Sequence, residues 1–151
     1  MDKYEGLKLK NQLCFPIYLC SKEIIRKYTP YLEKIDLTYT QYIVMMYFWE
    51  NKRSNVKDIG KALLLDSSTL TPLLKKLESK GYIKRQRSSI DERNLIVELT
   101  DKGDKIKEDA IDIPKNIGKC INLNATEAEE LYKLIYKVLL NVEKERENEN
   151  N

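Results

Sequence analysis

The sequence predicts a mainly α-helical fold with one small β-hairpin, and three observations predict it. Apolar residues recur at helical spacing in two long stretches near the ends of the chain, Leu13 to Ile35 and Thr126 to Lys144. Between them, two short helical patterns follow one another across the tight connection Leu64-Leu65-Asp66. Beyond Gly81 the period falls from about 3.6 to about 2, the alternation of strands.

The elements follow in order. Ile17, Ile24, Ile25, Tyr28 and Leu32 line one face of a long first helix, which either begins near Cys14 to Pro16 or kinks there, because proline lacks the N–H of a helical bond. Thr38 caps a second helix carrying Tyr42, Met45, Met46 and Trp49 and ending in the polar NKRSN. Val56, Ile59 and Leu63 form the face of a third helix. Asp66 or Ser67 caps a fourth, with Leu70, Leu73, Leu74 and Leu77 inward and Ser68, Thr69, Thr71, Lys75 and Lys76 outward, until Gly81 stops it. Tyr82 to Arg87 and Leu95 to Leu99 are strands flanking the polar tip Ser88 to Arg93. Thr100 caps a helix that runs to a break at Pro114, and Asn124 or Thr126 caps the last one, with Leu131, Leu134, Ile135, Val138 and Val142 on one face.

Composition narrows the function. Apolar side chains make up 42% of the 151 residues and charged ones 34%, the balance of a single globular domain over residues 1–151. A net charge of +3 names no partner, but Lys75, Lys76, Lys80, Lys84, Arg85 and Arg87 crowd one segment against the single acid Glu78. No apolar run approaches the roughly 18 residues of a membrane span, and MDKYEGLKLK has no signal core, so a cytoplasmic protein without a membrane partner is expected. Three cysteines do not make a disulfide framework in a reducing compartment.

Helix, turn, helix and a basic hairpin, in that order, make a winged helix-turn-helix. The stretches QLCFPIY, LTYTQYIVMMYFWE, VKDIGKALLLDSSTLTPLLKKLESKGYIKRQRS, DERNLIVELTDKG and IDIP, together most of residues 10–115, resemble the MarR family of transcription regulators. Within that family they are similar to its organic-hydroperoxide sensor branch. The resemblance implies a DNA-binding winged helix over residues 38–100 and a homodimer formed through N- and C-terminal helices, here 7–35 and 115–147, on an inverted-repeat operator of double-stranded DNA.

Short polar side chains at a helix start suit the reading of base edges, and Ser68, Thr69, Thr71 and Lys75 have that character. Lys76 and Lys80 are placed to hold backbone phosphates, as are Arg85 and Arg87 on the strand leading to the hairpin tip. Asp91 is placed to orient Arg93, which the resemblance implies enters the minor groove. The plainer alternatives are a solvated helix face and a surface ion pair.

Cys14 falls at the positive end of the first helix, where ionised sulfur is favoured, and Tyr18 lies on the same face one turn later. The resemblance implies that Cys14 is the oxidation site and that Tyr28, Tyr39 and Tyr18 hydrogen-bond it, Tyr18 coming from the other subunit. It also places Cys120 near the resolving thiol of two-cysteine members, with a small cellular thiol as the alternative. Cys20, six residues from Cys14 on one helix, is about 9 Å away along the axis and beyond bridging reach. A buried structural cysteine is the bland alternative, and a repressor that answers to a small aromatic ligand is the functional one. Enzyme chemistry is disfavoured, since no histidine and no phosphate loop is present, and no cofactor or metal is expected.

Overall fold

A computed structural model describes residues 3–89 and 95–149. The elements run α1 (Cys14–Leu32), α2 (Tyr39–Asn51), β1 (Arg53–Asn55), α3 (Val56–Leu63), α4 (Ser67–Ser79), β2 (Ile83–Arg87), β3 (Leu95–Leu99), α5 (Asp101–Ala110), α6 (Ile113–Ile121) and α7 (Ala125–Glu149). The chain divides into two compact units, Met1–Ile113 and Pro114–Asn151, where the sequence predicts one domain.

Local chemistry sets most boundaries. α1 starts at Cys14, so Pro16 falls in the first turn, where a missing N–H leaves no helical bond unmade. Pro30 lies in its last turn, and a 3₁₀ turn at Glu33–Ile35 then leads to Asp36 at φ 52°. Thr38 and Gln41 form a reciprocal capping box at the start of α2. Asn55 caps α3, Asp66 caps α4 and Thr100 caps α5, each by accepting a backbone N–H three residues on. In the second unit Asn124 and Glu127 exchange the same pair of bonds at 3.0 and 2.9 Å, which identifies Asn124 as the cap of α7.

Two elements differ from expectation. The helix capped by Thr100 stops at Ala110, and Pro114 falls in the first turn of α6 instead of ending its predecessor, the position that proline tolerates best. The polar NKRSN also contains β1, which makes a three-stranded sheet in the order β1-β3-β2. Its pairs Arg53 with Glu98, Ser54 with Val97 and Asn55 with Ile96 come from tertiary pairing, which no apolar alternation announces.

The core of the first unit gathers Leu32, Tyr42, Val44, Met45, Phe48, Ile59, Leu70, Leu74, Leu77, Ile83 and Val97, all at or below 2% exposure. The four inward leucines of α4 are buried as expected, whereas Met46 of α2 is exposed. Trp49 Nε1 donates to the Gly103 carbonyl at 2.9 Å, and Tyr82 Oη donates to the Ile35 carbonyl at 3.3 Å. A Cβ on Gly103 would stand 2.1 Å from the Tyr82 carbonyl oxygen, so only glycine lets α5 approach the start of β2 this closely. No helix among the described residues is long and apolar enough to cross a membrane.

Candidate functional site

The outward face of α4 is built by its inward one. Four leucines fix the helix on the core, which leaves Ser68 and Thr69 exposed in the first turn and Lys75 and Lys76 exposed in the middle. Thr71, expected beside them, is half-buried. The Asp66 carboxylate accepts from Ser68 Oγ at 2.5 Å and Thr69 N at 2.8 Å, and these bonds, Ser68 first, hold its pKa below the usual value. The cap is therefore charged at neutral pH. Among the described residues no ion pair holds Lys75, Lys76 or Arg87.

The other three cations of the basic segment are engaged, Lys84 with its Nζ 3.0 Å from Glu98 Oε2. Arg85, expected on phosphate, sends Nε and Nη2 to Glu78 Oε2 at 2.8 and 2.6 Å, while its backbone N–H donates to Oε1 at 2.9 Å. The hydrogen bond from the Arg85 side chain holds the Glu78 carboxyl below its usual range. Arg85 thus joins β2 to α4, its guanidinium on a carboxylate where the sequence expects a phosphate. Lys80 also differs: its side chain is 24% exposed, and Nζ lies 3.0 Å from Asp36 Oδ1. Asp91 and Arg93 lie outside the described residues.

The thiols are all exposed. Cys14 is the first residue of α1, and Tyr18, 60% exposed, follows one turn later. Tyr28 and Tyr39 meet elsewhere, with ring centroids 4.8 Å apart, and Tyr42 joins them 5.9 Å from Tyr28, an aromatic neighbour the sequence reading missed. Burial, and then the neighbouring phenols, push the Tyr28 and Tyr42 hydroxyls above their usual pKa. These two phenols remain protonated donors at neutral pH.

Helical rise separates Cys14 from Tyr28 by about 21 Å along α1, so the paired phenols cannot reach the sulfur of their own chain. Tyr18 can. A sulfur that touches Tyr28 and Tyr39 therefore has to meet those of another chain, whereas Tyr18 is within reach in its own. Cys20 and Cys14 lie on one unbroken helix, about 9 Å apart along its axis, as expected. Cys120 sits in the last turn of α6. Among the described residues no cluster of metal-ligating side chains occurs.

Comparison with known proteins places these features. The family model described as transcriptional regulator SarA/Rot matches residues 26–110. The chain is 43% identical over 133 residues to the organic hydroperoxide resistance transcriptional regulator of Bacillus subtilis, covering 88% of each chain. The chain belongs to the MarR family of transcription regulators. Within the MarR family it is also 50% identical over 123 residues to the regulator SarZ of Staphylococcus saprophyticus, covering 82% of this chain and 84% of that one. The structure of reduced AbfR bound to DNA is 35% identical and superposes with a TM-score of 0.81 over 95% of this chain and 98% of that one. Disulfide-formed AbfR, at 36% identity, reaches 0.61 over 91% and 96%.

Proposed function

We propose that this protein is a homodimeric, DNA-binding repressor that senses organic hydroperoxides through Cys14 and releases its operator when that sulfur is oxidised. The observation that carries the proposal is the split of the phenols along one helix. An exposed sulfur at the start of α1 has one tyrosine a turn away, and the tilted Tyr28–Tyr39 pair lies too far along the same chain to serve it. Two copies related by a two-fold axis complete the arrangement twice, each chain giving its sulfur to the partner's phenols. The apolar side chains exposed along α7, among them Leu131, Leu134, Ile135 and Val138, are the material for that pairing.

On DNA, α4 enters the major groove with Ser68, Thr69 and Lys75 towards base edges, while Lys76 and Arg87 take phosphates. Arg93, oriented by Asp91, enters the minor groove at the tip of the hairpin. Oxidation proceeds by attack of the Cys14 thiolate on a peroxide oxygen. The O–O bond breaks, the alkoxide leaves and takes a proton as alcohol, and the sulfur becomes a sulfenic acid. A second thiol, that of Cys120 or of a small molecule, then displaces water to form a disulfide. The added oxygen displaces the tyrosines, and the two reading helices lose their spacing.

Operator binding with and without cumene hydroperoxide tests the reading, using a duplex selected in vitro by the reduced protein. The wild type is expected to lose roughly tenfold or more in affinity. Cys14→Ser is expected to bind alike in both conditions, and release from this variant under peroxide would end the redox reading.

A further inference from the structure

Lys80 is the residue whose surroundings depart furthest from its expected role. It stands at the C-terminal end of α4, where a cation facing solvent would suit a phosphate. Instead its Nζ lies 3.0 Å from Asp36 Oδ1, donates to the Asp36 carbonyl and reaches Gln41 Oε1 at 3.3 Å. All three partners belong to the corner between α1 and α2. Asp36 is held there in the left-handed region at φ 52°. Gln41 Oε1 accepts at the same time from Thr38 N at 3.0 Å, so one oxygen joins the cap of α2 to the end of α4.

The corner also carries the phenols. Tyr39 is the first residue of α2, inside the turn that Thr38 and Gln41 close, and its ring rests on Tyr28. Tyr82, two residues past Lys80, donates its hydroxyl to the Ile35 carbonyl, and Lys102 Nζ donates to the Lys80 carbonyl at 2.7 Å. The end of the reading helix is thereby held from both sides. A displaced Tyr39 must move the turn to which Lys80 is bonded.

We infer that Lys80 is a positioning residue which, through Asp36 and Gln41, fixes α4 to the tyrosine-bearing corner and carries the movement of that corner to DNA. The inference rests on the proposed function for the roles of α4 and of the tyrosines. It separates from the phosphate reading by salt dependence, because each phosphate contact adds about 0.9 to the slope of log affinity against log salt.

The experiment titrates the selected duplex with the wild type, Lys80→Met, Asp36→Asn and Lys76→Ala between low and moderate salt. Each protein is measured reduced and after cumene hydroperoxide, with the yield of Cys14 oxidation read by mass spectrometry. Lys76→Ala is expected to lower the slope by about 0.9. Lys80→Met is expected to keep the wild-type slope, to bind several-fold more weakly when reduced, and to lose less affinity on oxidation at equal Cys14 yield. Asp36→Asn, which keeps the lysine stem in place, is expected to weaken reduced binding too, whereas a phosphate-bound Lys80 beside it would bind more tightly once that negative charge is gone. A slope lowered in Lys80→Met as in Lys76→Ala overturns the inference and leaves the proposed function standing, as does a wild-type response to oxidation. An unchanged slope in Lys76→Ala, or no oxidation of Cys14 in the wild type, overturns the proposed function and the inference with it.

Discussion

The body between α2 and α5 and the terminal helices α1 and α7 use the same apolar residue types to opposite effect. In the body, Phe48, Ile59, Leu70, Leu74, Leu77 and Val97 are sealed, and every helix start from α2 to α5 has a side-chain cap. In the terminal helices, Ile17, Tyr18, Leu19, Leu134, Ile135 and Leu140 stand exposed. Burial of such side chains stabilises by roughly 1.5–3 kcal/mol each, so the body can hold itself together, while the terminal helices keep their largest stabilisation for a partner. Cys14 begins α1, whose exposed residues include Ile17 and Tyr18, and α4 belongs to the sealed body. Under the proposed function that division suits a dimeric switch, whose rigid part must move as a unit.

The comparison breaks most severely at Gly103. Gly103→Ala forces a carbon against the Tyr82 carbonyl and Leu99 Cδ1, and circular dichroism is expected to show a body destabilised by about 3 kcal/mol, the upper end of ordinary overpacking. An unchanged melting curve would mean that the body is looser than its packing.

A charge on the unfinished side is expected to act differently. Leu134→Glu, at a position 61% exposed, should leave the body folded by circular dichroism and shift sedimentation from dimer to monomer. If the dimer survives, its interface lies off this face of α7. The contrast predicts that these two substitutions do not exchange phenotypes.

The smallest effect sharpens the boundary inside the body. Arg85 lowers the folded pKa of Glu78, so the bond stabilises above the unfolded carboxylate value and is lost as pH falls through the folded one. Glu78→Gln is expected to flatten that part of the acid limb of stability, below about pH 4.3, and to weaken operator binding modestly by loosening β2 from α4. An acid limb identical to the wild type would show the pair to be a surface contact of little value.

Much of this was legible before any fold was known, and the parts that were not have a common cause. Capping residues Thr38, Asp66 and Thr100, the leucines of α4 and the change of period after Gly81 act over three or four residues, within reach of sequence reasoning. So does the place of Cys14 at a helix start with Tyr18 one turn on. β1 has no local signal and exists only because β3 offers it hydrogen bonds. Lys80 and Arg85 read alike as surface cations, yet each faces a carboxylate that folding alone brings to it, Lys80 from 44 residues away. The sequence by itself determined most of the helices, the caps of α2, α4 and α5 and the strands β2 and β3, because those follow from near neighbours. Tertiary structure decided which cations of the basic segment face carboxylates, which phenols meet, and that Tyr28 stands beyond the reach of Cys14 in its own chain, because those depend on distances that only the folded chain sets.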